Sequence, residues 1–179
     1  MPYRTIIRNI LWMLTERGAQ IVGGIAVSGL LARSLGAAQF GLFQYAQSLV
    51  FLAASLTLLC GSEVVVPRLV GKTEAEQRTV IAHAFVLRLA AAAVAYAALA
   101  IYVIGFAESE LVAIALWLGV ALWFREPAGI VIAWLQARTF NRPSVAANLC
   151  GLGVKLALVA LLFVTHAGVA AFAVVYAVE

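Results

Sequence analysis

Long apolar stretches alternate with short polar breaks along the whole chain. Apolar side chains dominate residues 7–31, 40–66, 80–104, 111–135 and 145–164, and a further apolar run starts at 168 and reaches the end at 179. A helix needs about 20 residues to cross the hydrocarbon of a bilayer. The first five runs meet that length and the sixth does not. The pattern therefore predicts an all-α integral membrane protein, a helical bundle of five full transmembrane helices plus an incomplete sixth. On this reading the chain is expected to be the N-terminal part of something longer. Strands are a poor alternative, because the runs are Ala- and Leu-rich and lack the period-2 alternation of a membrane β-barrel. Pro67, Pro143, Gly36, Gly105 and Gly168 fall between the runs, where helix breakers belong. Pro127 falls inside the fourth run and predicts a kink there.

Composition agrees with the pattern and removes the soluble alternative. Of 179 residues, 65% are hydrophobic and 11% charged, with a mean hydropathy of +1.04. Soluble domains hold about half apolar and a quarter charged residues. A fold of this size cannot hide so much apolar side chain from water. The N-terminal Arg4 and Arg8 precede an apolar run, as in a signal peptide. That run is too long for a signal and carries Glu16 and Arg17, and no small-residue cleavage motif follows, so it reads as a retained first span.

The net charge of +4 does not indicate a nucleic-acid partner. The basic residues form no patch with interleaved aromatics; they sit in the short breaks, where they set orientation. The N-terminal tail has Arg4 and Arg8, the second break Arg68, Lys72 and Arg78, and the fourth Arg138 and Arg142. The opposite side has Arg33, with Glu108 and Glu110 in its other turn. Seven cations against one predict a cytoplasmic N-terminus. Cys60 and Cys150 lie in apolar runs with no metal or redox spacing and read as small apolar residues.

The informative residues are the charges inside the spans: Glu16 and Arg17 in the first, Arg88 in the third, Arg125 and Glu126 in the fourth, and Lys155 in the fifth. Each costs about 2.5–3.5 kcal/mol at the bilayer centre on insertion scales, so each is expected to be paired or to face water. Sequential neighbours on a helix do not face each other, so the partners should come from other helices. Four cations against two Glu leave a cationic surplus at that depth. Polar stripes repeat at helical spacing: Asn9, Glu16, Gln20, Gly24 and Ser28; then Gln44, Ser48, Ser55 and Ser62, with Glu63 beside them; and Ser144, Asn148, Gly151 and Lys155. These sets read either as packing faces with structural ion pairs or as the lining of a water-filled cavity for an anionic ligand. The cationic surplus favours the cavity. Lys155 and Arg88 stand out because neither has an acidic residue nearby in sequence. His83 and His166 sit at span ends, and the Trp residues read as interface anchors or packing.

The stretch "LLARSLGAAQFGLFQYA" joining the first two runs, followed by "GSEVVVPRLVG" and later "WLQARTFNRPSVAANL", resembles polysaccharide (O-antigen, Wzx-type) flippases of the MATE-like MOP exporter superfamily. The resemblance implies the N-terminal lobe of a transporter of 12–14 helices in the bacterial inner membrane, working by alternating access around a cationic cavity. It further implies an undecaprenyl-pyrophosphate-linked oligosaccharide as cargo, membrane lipids as surroundings, polysaccharide polymerase and export proteins as partners, and no cofactor. The chain departs from the family by stopping within its sixth helix. Arg suits phosphate oxygens through its planar fork, and Arg17, Arg88, Arg125 and Lys155 are the expected substrate-binding cations. Glu16, Gln20, Glu63, Glu126 and Asn148 are their expected acidic and polar partners, holding the cations when the site is empty or binding coupling ions.

Other classes fit less well. A cation or drug exporter of the same superfamily would show an acidic surplus. A membrane enzyme of phosphoryl transfer would need carboxylates spaced for Mg²⁺, yet the chain has no Asp and its Glu residues are scattered; no metal site or catalytic residue is expected. A non-transporting membrane fragment is the remaining alternative.

Overall fold

The computed structural model describes residues 3–57, 67, 69, 73–137, 142–165 and 168–178. Among the described residues there are helices and no strands. They run as α1 (Tyr3–Ser55), α2 (Glu74–Phe106), α3 (Ser109–Gly119), α4 (Ala121–Ala137), α5 (Arg142–Val164) and α6 (Val169–Val178). Glu63, Cys60, Ser62, Arg68, Lys72, Arg138 and His166 lie outside the described residues.

Among the described residues, four stretches are long and apolar enough to cross a membrane: Leu14–Ser55, Glu74–Phe106, Ser109–Ile132 and Val145–Val164. Five full spans and a partial sixth were expected, so there is one separate helix fewer than expected. The reason lies in α1, where the first two expected spans form one helical stretch without a connecting loop. Its single departure is Gly36, at φ 72° and ψ 172°. A positive φ is open to glycine at little cost and breaks the i→i+4 ladder in one residue. At about 1.5 Å per residue, the 42 residues of the first stretch would extend about 63 Å, roughly twice the hydrocarbon thickness. The arms on either side of Gly36 each approach the ~20 residues of one crossing.

The start of α2 is set by a capping box. Glu76 N donates to Thr73 Oγ1, and Thr73 N donates to Glu76 Oε2 at 2.9 Å, satisfying two orphan amides of the first turn. This polar turn begins the helix before the apolar run expected from residue 80. The fourth expected span carries an irregularity at Val120, which keeps helical φ/ψ of −57° and −30° while its N–H reaches both Leu116 O and Trp117 O at 3.2 Å, the tightened pattern of a 3₁₀ turn. Pro127 lies seven residues on, inside α4, and leaves the carbonyl four residues earlier without its helical donor. Pro143 falls in the first turn of α5, where a missing N–H is harmless.

Close approaches fix the relative directions of neighbours. Glu16 meets Asn148 and Gly23 meets Leu152, so the first arm of α1 runs parallel to α5. Arg88 meets Glu126, while Tyr96 and Leu99 crowd Gly119, so α2 runs antiparallel to the α3–α4 pair. The main core joins all six helices through Val27, Leu31, Phe43, Val103, Ile114, Leu122, Val159 and Phe172. The outside is apolar as well: Phe51 is 77% exposed, Ile101 73% and Phe106 84%. At about 25 cal/mol per Å² such a surface is unfavourable in water and suited to lipid.

Candidate functional site: a charged cluster beside an interhelical cavity

Arg88 projects from the middle of α2 toward α4. Its Nη1 donates to the Glu126 backbone oxygen at 3.1 Å and stands 3.3 Å from Glu126 Oε2. Both side chains are nearly buried, 11% and 12% exposed, so the pair is shielded from water where charge attraction is strong. Gly129 makes the approach possible: a Cβ there would lie 2.7 Å from Arg88 Nη1. The same carboxylate oxygen is 2.6 Å from Thr57 Oγ1, which is also 2.6 Å from Ala54 O. A hydroxyl has one hydrogen, so Thr57 serves one acceptor at a time, and the charge-assisted bond to Glu126 is the stronger. Glu126 is thus held from the turn that follows α1 and from α2 while belonging to α4.

An open cavity of about 330 Å³ lies beside this cluster. The second arm of α1 lines it with Gln47, Phe51 and Ser55, the α3–α4 pair with Leu118, Arg125 and Glu126, and α6 with Tyr176. Its volume is at the lower end of ligand-binding pockets. Arg125 is exposed and, among the described residues, makes no ion pair. Lys155 stands over the ring of Tyr176, with Nζ 3.7 Å from the centroid, a cation–π distance. Tyr176 is further fixed by an edge contact to Phe43, with centroids 5.1 Å apart.

No family model, curated protein or solved structure matches this chain. The site is therefore read from its own geometry.

The expected cations do not converge on one point. Arg125 and Glu126 line the cavity, Arg88 touches it through Glu126, and Lys155 touches it through Tyr176. Arg17 is exposed on the first arm of α1 and is not brought to the cavity. Its neighbour Glu16 accepts a hydrogen bond from Asn148 Nδ2 on α5, a separate interhelical contact, and Gln20 is half-buried one turn on. Glu63 is outside the described residues. Arg88 was singled out for lacking an acidic neighbour in sequence, and the fold supplies one from 38 residues away. The stripe of Gln44, Ser48 and Ser55 is exposed rather than packed against other helices, although Ser55 reaches the cavity rim. Among the described residues no cluster of His, Cys or Glu is arranged to hold a metal.

Sequence reasoning missed Thr57, Gly129, Gln47 and Tyr176. Gly129 carried a usable signal, since a glycine one turn beyond a charged residue in a helix permits close approach of another chain. Thr57 and Tyr176 carried none, because their partners are set by packing between distant segments.

Proposed function

We propose that this chain forms a lobe of a membrane transporter that moves a phosphoanionic, lipid-linked saccharide, in the manner of the polysaccharide flippases its sequence resembles. The supporting observation is Arg125, an exposed guanidinium without an ion-pair partner among the described residues, lining a cavity between apolar helices. A cation placed at such depth costs several kcal/mol unless it is hydrated or meets an anion. The cavity satisfies both conditions, admitting water when empty and a pyrophosphate when loaded. Arg88 and Lys155 add positive charge behind the cavity wall. The apolar rim of Phe51, Val50 and Leu122 suits a polyprenyl tail. The orientation that goes with this reading places the N-terminus in the cytoplasm of a bacterial cell.

A cation or drug exporter is the second reading, favoured by Glu126 in the cavity wall. Its charge is already opposed by Arg88 at 3.3 Å, which favours the anion.

Titration of the purified chain in detergent with a polyprenyl pyrophosphate tests the proposal. Wild type binds it, and Arg125→Glu weakens binding at least about tenfold, the equivalent of one charge-assisted hydrogen bond. Equal binding by both proteins, or preferential binding of a lipophilic cation, refutes it.

A further inference from the structure

Glu126 occupies the place where an anion would meet Arg88. Its Oε2 sits 3.3 Å from Arg88 Nη1, and the carboxylate lines the same cavity as Arg125. An anion entering the cavity therefore meets one accessible guanidinium and one carboxylate that repels it, while the second guanidinium lies behind that carboxylate. We propose that Glu126 is an internal counter-anion, which an incoming phosphoanion displaces from Arg88. The inference rests on the anion-site reading above and adds how that site is regulated.

The surroundings suit an exchange of this kind. Thr57 offers its hydroxyl hydrogen either to Glu126 or to Ala54 O, both at 2.6 Å. When Glu126 swings away, Thr57 keeps an acceptor and no buried donor is stranded. Arg88 retains its bond to the backbone oxygen of Glu126 at 3.1 Å, which does not move with the side chain. The guanidinium thus stays in place, propped over Gly129, while the carboxylate leaves. The neighbouring Arg125 is on the same helix turn and receives the other side of the anion. In the empty state the Arg88–Glu126 pair lowers the cost of a lone cation at this depth; in the loaded state the ligand takes over that role. The affinity of the site is lowered by the cost of breaking the internal pair, which makes release from the loaded state easier.

The opposite role is equally concrete. If Glu126 only orients Arg88 for the ligand, removing its charge lets the guanidinium wander and binding weakens. The two roles differ in sign. Inorganic pyrophosphate is titrated calorimetrically into the purified chain carrying no change, Glu126→Gln, or Glu126→Gln with Arg88→Gln. Glutamine keeps an oxygen for Thr57 and Arg88, and circular dichroism checks that helix content is retained. Exchange predicts that E126Q binds pyrophosphate about fivefold or more tightly than wild type, the scale of a modest ion pair, and that the double variant loses this gain. Unchanged or weaker binding by E126Q overturns the exchange while leaving the anion site standing if wild type binds. A gain that survives in the double variant also overturns it, since the effect is then general loss of negative charge. Failure of wild type and E126Q alike to bind pyrophosphate overturns both the anion site and the exchange.

Discussion

Replacing Gly129 with alanine sets two effects of opposite sign against each other. In a helix interior alanine is favoured over glycine by about 1 kcal/mol. The new Cβ, however, would stand 2.7 Å from Arg88 Nη1, whereas carbon and nitrogen rest comfortably at about 3.5 Å or more. The guanidinium, the far end of a flexible side chain, must retreat by roughly 0.8 Å, which costs it one of its two contacts to Glu126, now at 3.1 and 3.3 Å. A hydrogen bond to a charged group contributes about 1.5–3 kcal/mol. The net expectation is a destabilisation of about 0.5–2 kcal/mol. In an Arg88→Met background the clash and the bond are both absent, and the same Gly129→Ala change should stabilise by about 1 kcal/mol. The assay is reversible unfolding of the four proteins in mixed micelles, followed by tryptophan fluorescence, read as a double-mutant cycle. Equal effects of Gly129→Ala in the two backgrounds would refute the reasoning, because the glycine would then not be there for the arginine.

Further outcomes follow from other contacts. Thr73→Ala removes the capping box and should cost about 1 kcal/mol, with faster hydrogen exchange at the amides of Glu76 and Gln77. Gly23→Leu drives a side chain into Leu152, whose Cδ1 is already 2.7 Å from a Cβ position there; overpacking of this kind costs about 1–3 kcal/mol, and Leu152→Ala should recover most of it in a thermal-melt comparison. Lys155→Met removes the cation over Tyr176 and should lower unfolding stability by about 0.5–2 kcal/mol; Tyr176→Leu should then have no further effect on that pair. A single cysteine at Glu108 in a background without Cys60 and Cys150 should react with an impermeant maleimide on intact cells, and one at Glu76 only after lysis. The reverse labelling would overturn the cytoplasmic N-terminus.

The helical, membrane-suited character of the chain was legible because length and hydropathy act locally on each segment. The runs expected to end at 104, 135 and 164 end at Phe106, Ala137 and Val164 for the same reason. Two features escaped. A single glycine in the left-handed region replaced the polar linker expected near residues 32–39, because nothing in "ARSLGAAQF" is polar enough to force a loop and helix propensity carries the backbone up to the bend. The irregularity at Val120 escaped because a single tightened turn has no sequence signal of its own. At the site, the expectation that buried charges find partners on other helices identified Arg88 and Glu126 as residues to watch. It could not say that they meet each other, since that depends on the antiparallel register of α2 and α4. Arg17 shows the converse limit: its position mid-run resembled that of Arg88, and its helix turns it outward.

The bend at Gly36 has a bearing on how the protein is made. With no loop between the two arms of α1, there is no hydrophilic tether to be threaded across the bilayer ahead of the second arm. Arg33 and Gln39 flank the bend within one turn on either side, and they reach the far surface only when both arms are deep in the membrane. The first arm alone, with Glu16 not yet opposite Asn148 of the later-synthesised α5, would hold an unsatisfied carboxylate in lipid. Co-insertion of the two arms as one unit is therefore the expected order, and a cross-link from the translocon to the first arm that is lost before the second arm emerges would refute it.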